Sequence, residues 1–139
     1  KIKTDKVVYL SDYAHHPEEI KRSILSMRAL YGDKKLTGIF QPHLYTRTRD
    51  FYLEFAESLS LLDEVILTDI YPARELPIEG VSSQLIYDNL RPGIDKILCT
   101  KEEVIDIIKK KEIEVLMTLG AGDIENYAPQ ICEILNERC

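Results

Sequence analysis

Strand-like and helix-like segments alternate along the whole of this 139-residue chain, and no repeat or low-complexity stretch interrupts them. That alternation constrains the fold more than any other feature. Strands each followed by a helix run parallel, and their crossovers pack helices onto the sheet. We therefore expect an α/β fold: a single Rossmann-like domain over residues 1–139, with a mostly parallel open sheet and helices on both faces. With 45% hydrophobic residues, a chain of this length buries roughly two thirds of its unfolded surface in one core.

Strands are expected over residues 7–12, 36–41, 64–69, 96–99 and 113–119. The first helix opens near Pro17, has Glu18 and Glu19 at its positive end, turns Ile20, Ile24, Met27 and Tyr31 inward, and stops at Gly32. Thr48 is the expected cap of the second helix, whose apolar face reads Phe51, Phe55, Leu59 and Leu62. A long connection over residues 70–81 leads to a helix capped by Ser82 or Ser83; connections of that length often serve function. Thr100 and Glu103 form a capping box before a helix over residues 104–111. The turn Gly120-Ala121-Gly122-Asp123 precedes a closing helix with Pro129 in its first turn, anchored by Ile131, Ile134 and Leu135.

The net charge of −6 and pI near 5.1 argue against a general nucleic-acid surface, which needs clustered cations. Cys99, Cys132 and Cys139 are odd in number and widely spaced, so neither a disulfide framework nor a paired-cysteine zinc site is expected. A reducing, cytoplasmic setting is the simpler reading. No apolar run approaches the ~18 residues of a membrane span, and the N-terminus lacks a signal-peptide core, so no membrane insertion is expected. The first residue is Lys1, not methionine, which suggests a processed chain or an excised domain.

All three histidines lie in two segments, SDYAHHPEEI (residues 11–20) and FQPHLYTRTRD (residues 40–50), where strands hand over to helices. Ligands of open α/β sheets sit at that edge, so these segments should converge on one crevice at the carboxyl ends of neighbouring strands. Free N–H groups at the helix N-termini there would suit phosphate or carboxylate. Asp12 can accept ribose hydroxyls or merely serve helix entry. His15 can donate to phosphate or sit beside an attacking amine, since its charge state is set near neutral pH. Tyr13 can support a small substrate or pack, and His16 is assigned to the helix cap.

His43 and Arg47 sit in a loop that Pro42 keeps from being helical, so both can face a ligand. The Arg47 guanidinium suits a carboxylate or phosphate bidentately; the alternative is an exposed cation beside Asp50. Arg74 and Glu75 read first as architecture of the long loop, in its simplest form a surface pair. The GAGD turn does not complete GxGxxG, because position 125 is Glu, and its glycines are assigned to backbone geometry. Lys109 to Lys111 reads as a solvated helix end, and no metal site is expected because no ligand spacing is present.

Four segments, DYAHHPEEI, FQPHLYTRT, TDIYPARELPIEGVSS and GAGD, occur in that order between Asp12 and Asp123. Together they resemble the C-terminal domain of the Mur ligases of peptidoglycan synthesis, in their alanine-adding branch. The resemblance implies an ATP-dependent carboxylate:amine ligase, with UDP-N-acetylmuramate, L-alanine and ATP as partners and Mg2+ as cofactor. It implies that Tyr13, His43 and Arg47 bind substrate and that Asp12 and His15 face the nucleotide; no general base is assigned. Leu44 stands where relatives often carry a second arginine, which puts a two-arginine clamp in doubt.

No glycine is followed by lysine, so GxxxxGK[ST] is missing. The family keeps that loop and its metal ligands in a central domain, so this domain alone is expected to be inactive and to close over the rest of the same ligase chain. Two alternatives stand beside this reading. One is the related ligase that recycles a murein tripeptide onto the same UDP-sugar; the other is a non-catalytic α/β binding module.

Overall fold

The computed structural model describes residues 2–3 and 7–136; Cys139 lies outside them. The strands are β1 (Ile2–Lys3), β2 (Val8–Asp12), β3 (Leu36–Phe40), β4 (Glu64–Leu67), β5 (Asp95–Leu98) and β6 (Val115–Leu119). They form one sheet in the order β1-β2-β6-β3-β4-β5. The pairings from β2 to β5 are all parallel, while β1 adds an antiparallel edge strand that the sequence pattern did not announce. The residues of β3, β4 and β6 are buried, as expected for parallel strands covered on both faces.

Helices α1 (Pro17–Leu30), α2 (Tyr45–Leu59) and α3 (Gln84–Asp88) cover one face, and α4 (Val104–Lys110) and α5 (Ala128–Asn136) the other. The first layer packs Ile20, Ile24, Met27, Phe55, Leu59 and Ile86 against alternate residues of the sheet. The second packs Val104, Ile108, Ile131 and Leu135 against Tyr9, Ile39, Ile66 and Leu116. Each fully buried side chain of this type contributes about 1.5–3 kcal/mol relative to exposure.

Several local expectations change. The strands read as β2 and β3 are not neighbours, because β6 lies between them. Helix α2 starts at Tyr45, three residues before the expected cap; Thr48 lies within it, buried, donating its hydroxyl to the Leu44 carbonyl at 2.9 Å. The helix kinks at Phe51 (φ −128°, ψ 15°), which turns that ring outward to 43% exposure instead of into the core. Leu62 is buried but lies past the helix end, and Tyr31 caps α1. Ser83 is spent on the Thr68 carbonyl, leaving Ser82 to accept from the Gln84 N–H at 3.2 Å. The expected Thr100–Glu103 capping box is present.

The amino end of the sheet is closed by charge. Glu64 begins β4 with its side chain 3% exposed, accepts from Thr37 Oγ1 at 3.2 Å and pairs with Lys111 and, at 3.4 Å, with Lys35. Burial pushes the Glu64 carboxyl up, but the Lys111 bond and the two lysine charges outweigh it and hold the pKa below the ordinary value. Lys111 is thus part of a buried network, not the solvated helix end expected. Nearby, Arg28 pairs with Asp63 at 3.1 Å.

Candidate functional site

At the opposite end, β2 delivers Asp12, Tyr13 and His15, and β3 delivers His43 and Arg47. The strand between them leaves through glycines: Gly120 has φ +142° and would place a Cβ 2.8 Å from the Gln41 carbonyl oxygen. The turn is tied down by Gln41, which donates to Asp123 at 2.5 Å and accepts from the Ile124 N–H at 2.9 Å, and by the Lys101–Asp123 pair.

The two histidine segments converge despite the intervening strand. The rings of His15 and His43 meet edge to face with centroids 6.1 Å apart, and Tyr13 lies edge-on to His15 at 6.0 Å. Arg47 Nη1 donates to His43 Nδ1 at 3.1 Å, because a guanidinium has no acceptor to offer. His43 is therefore neutral there and carries its proton on Nε2. Burial, then the Arg47 charge, holds its pKa below the usual histidine value. Tyr13 is 55% exposed, the most open member of the group.

Asp12 is turned inward: one carboxylate oxygen accepts the Ala14 N–H at 2.9 Å and the other the Ser23 hydroxyl. The geometry fits helix entry, while the remaining lone pairs can still accept from a ligand. His15 Nδ1 lies 3.0 Å from the Tyr13 carbonyl and 3.7 Å from Glu19. His16 occupies the N-cap of α1.

The expectation of open helix N-termini is corrected in part. Glu19 accepts from the N–H groups of His15 (3.3 Å) and His16 (3.2 Å). Glu75, which does not pair with Arg74 as expected, accepts from the N–H groups of Tyr45 (2.6 Å) and Thr46 (3.2 Å). Backbone donors at the mouths of both helices are thus engaged by the chain's own carboxylates.

Two residues escaped the sequence reading. Tyr71 stacks on His43 with centroids 5.7 Å apart and an 18° interplanar angle, and Ser23 holds Asp12. The length of the loop after β4 signalled importance but not which ring would turn back. Cys99 is buried, and burial, with the nearby Glu103 and Asp69 charges, lifts its thiol pKa to about 11. His15, His16 and Glu19 bring donor atoms within 4.8 Å of one another, a grouping that sequence spacing missed. Imidazole-rich donors do not suit Mg2+, which takes oxygen ligands. Beside the site, a cleft of about 450 Å³ between α1 and α2 is lined by His16, Pro17, Lys21, Phe51, Ser58 and Leu61 among others.

A profile described as Mur ligase, glutamate ligase domain, matches residues 1–124. The chain belongs to the Mur ligase family. It is 76% identical over 138 residues to a UDP-N-acetylmuramate--L-alanine ligase of Phocaeicola vulgatus, covering 99% of this chain and 30% of that protein. It is 57% identical to the protein so named in Parabacteroides distasonis, covering 96% of this chain and 29% of that protein. The chain thus spans about 30% of the length of these curated relatives. A UDP-N-acetylmuramate-alanine ligase from Thermotoga maritima superposes with a TM-score of 0.74 at 27% identity, covering 96% of this chain and 27% of that one. A murein peptide ligase from Psychrobacter arcticus shares the fold, with a TM-score of 0.72 at 18% identity over 97% of this chain and 29% of that one. The Mur ligase fold expected from the four segments is the one observed.

Proposed function

We propose that this chain is the C-terminal, amino-acid-binding domain of a cytoplasmic ATP-dependent ligase that joins L-alanine to UDP-N-acetylmuramate in peptidoglycan precursor synthesis. The observation that carries the reading is the meeting of His15, His43 and Arg47 at one sheet edge, in a chain 76% identical to a protein named for that reaction. In the chemistry the family implies, the lactyl carboxylate takes the γ-phosphoryl group of ATP with release of ADP. The alanine nitrogen then attacks the acyl carbonyl, phosphate leaves, and the amine loses a proton.

Arg47 supplies a fixed positive charge for the amino-acid carboxylate or for charge developing on phosphate, and its bond to His43 limits the directions it can take. His43, neutral and protonated on Nε2, can donate toward the amino acid without repelling its ammonium group. Tyr13 closes the outer wall. Asp12 and His15 face the nucleotide, with Asp12 ordered by Ser23. Mg2+ and the triphosphate are held by the rest of the same chain, because no P-loop occurs in these residues. The domain works by closing over that neighbour, which supplies orientation and charge stabilisation, and is inactive by itself.

The test is phosphate release by the full-length protein with ATP, Mg2+ and UDP-N-acetylmuramate. L-alanine is expected to drive it and a murein tripeptide to fail. Release with tripeptide alone would replace the reading by the recycling reaction, and no release with either would leave a binding module.

A further inference from the structure

We propose that Glu75 is the positioning residue of this site: from the loop after β4 it caps the first turn of α2 and thereby sets the direction of Arg47 and His43. Helix α2 has no cap of its own. Its N-cap is Leu44, whose side chain has no acceptor, and its first turn contains no acidic residue. Leu44 also holds φ +74°, a region that favours glycine, so the backbone between His43 and Arg47 is strained and needs outside support.

That support comes from residues 71–75. The Tyr71 N–H donates to the Pro42 carbonyl at 2.8 Å, and the Leu44 N–H donates to the Tyr71 carbonyl at 2.9 Å, which fixes the strained residue from behind. A turn closed by the Glu75 N–H on the Pro72 carbonyl, at 2.9 Å and with Ala73 at φ +54°, aims the Glu75 carboxylate back at the helix. One oxygen accepts the Tyr45 and Thr46 N–H groups, and the other accepts the Thr46 hydroxyl at 2.5 Å. The loops after β3 and β4 are therefore one unit, with the stacked His43 and Tyr71 rings at its centre. Glu75 has a second consequence. By engaging N–H groups at the mouth of α2, it directs an incoming anion to the Arg47 guanidinium.

This inference rests on the proposed role of Arg47, so its test has two readouts in the full-length protein: hydrogen exchange of the peptide over residues 43–49, and kinetics of L-alanine-dependent phosphate release. Glu75→Ala is expected to speed exchange at Tyr45 and Thr46 and to raise the KM for L-alanine by about tenfold to a hundredfold, the scale of a small misplacement of a binding group. Glu75→Gln keeps an acceptor oxygen and should restore both readouts to near the parent. Adding Leu44→Gly to Glu75→Ala, which relieves the positive φ, should recover part of the loss. If Glu75→Ala fails to fold, Glu75→Gln carries the test: near-parent exchange over residues 43–49 and near-parent KM support the cap, and a rise in KM of about tenfold with unchanged exchange overturns it. Parent-like exchange and KM in a folded Glu75→Ala protein overturn the proposal. So does a KM defect with unchanged exchange, which would assign Glu75 a charge effect instead. A parent protein inactive with L-alanine defeats the functional reading while the exchange arm still judges the cap.

Discussion

The two ends of the same sheet handle charge in opposite ways. At the amino end, the buried Glu64 carboxylate is surrounded by Lys111, Lys35 and Thr37, so its charge is neutralised within the chain. At the carboxyl end the Lys101–Asp123 pair closes the glycine turn, but in the histidine cluster beside it hydrogen bonds and ring contacts orient groups without cancelling charge: Arg47 bonds a neutral imidazole, and Tyr13 stays exposed. Closed charge sets hold a fold together; charge that is oriented but not neutralised is what a ligand can use. The contrast predicts that substitutions at one end are felt in stability and at the other in turnover.

The sharpest way to break the comparison is Arg47→Ala in the full-length protein. Turnover should fall by about 10²–10³-fold, the cost of removing one preorganised charge donor, with the melting temperature essentially unchanged. Parent-like activity would remove Arg47 from the site.

Gly122→Ala probes how tightly the carboxyl end is fitted. A Cβ there would lie 2.5 Å from Gln41 Oε1 and 2.6 Å from Tyr71 Cγ, displacing the ring on which His43 stacks. Overpacking of this kind costs about 1–3 kcal/mol, and L-alanine-dependent turnover should drop about tenfold through the shifted ring. A destabilised variant with full turnover would separate Tyr71 from the site.

Lys111→Met tests the amino end. Urea unfolding should report a loss of about 1–3 kcal/mol, as for a charged hydrogen bond to a buried group, with turnover unchanged. The sign with pH follows from Glu64. Its folded pKa lies below the ordinary 4.5, so its stabilisation is present above that value and lost as pH falls through the folded pKa. The variant should therefore lose less stability on acidification than the parent.

The smallest effect is the titration of His43. Its NMR midpoint should fall below 6.5, and Arg47→Gln should raise it without fully restoring it, because burial is the larger cause. As pH drops from 6.5 toward that midpoint the unfolded chain takes the proton first, so His43 subtracts stability in that window. An unshifted midpoint would contradict the neutral, accepting imidazole.

Much of this was legible in the residues. The alternation of segments determined a parallel sheet with two helix layers, because each apolar stripe has to be buried against another element. The handover segments placed five candidate residues at one edge, and four ordered motifs carried the family resemblance. The start of α2 was not legible. Thr48 is the better local cap, yet Glu75, about thirty positions away, supplies the acceptor and lets the helix begin at Tyr45. Nor could the pattern say that a lysine at a helix end would reach a buried glutamate.

What the sequence determined by itself was which groups come to the sheet edge, since hydrophobic period and turn chemistry act over a few residues. What only the tertiary structure decided was how those groups are aimed. The insertion of β6 between β2 and β3, the return of Tyr71 and Glu75, and the engagement of N–H groups at both helix mouths are contacts between distant segments, which local propensity does not encode.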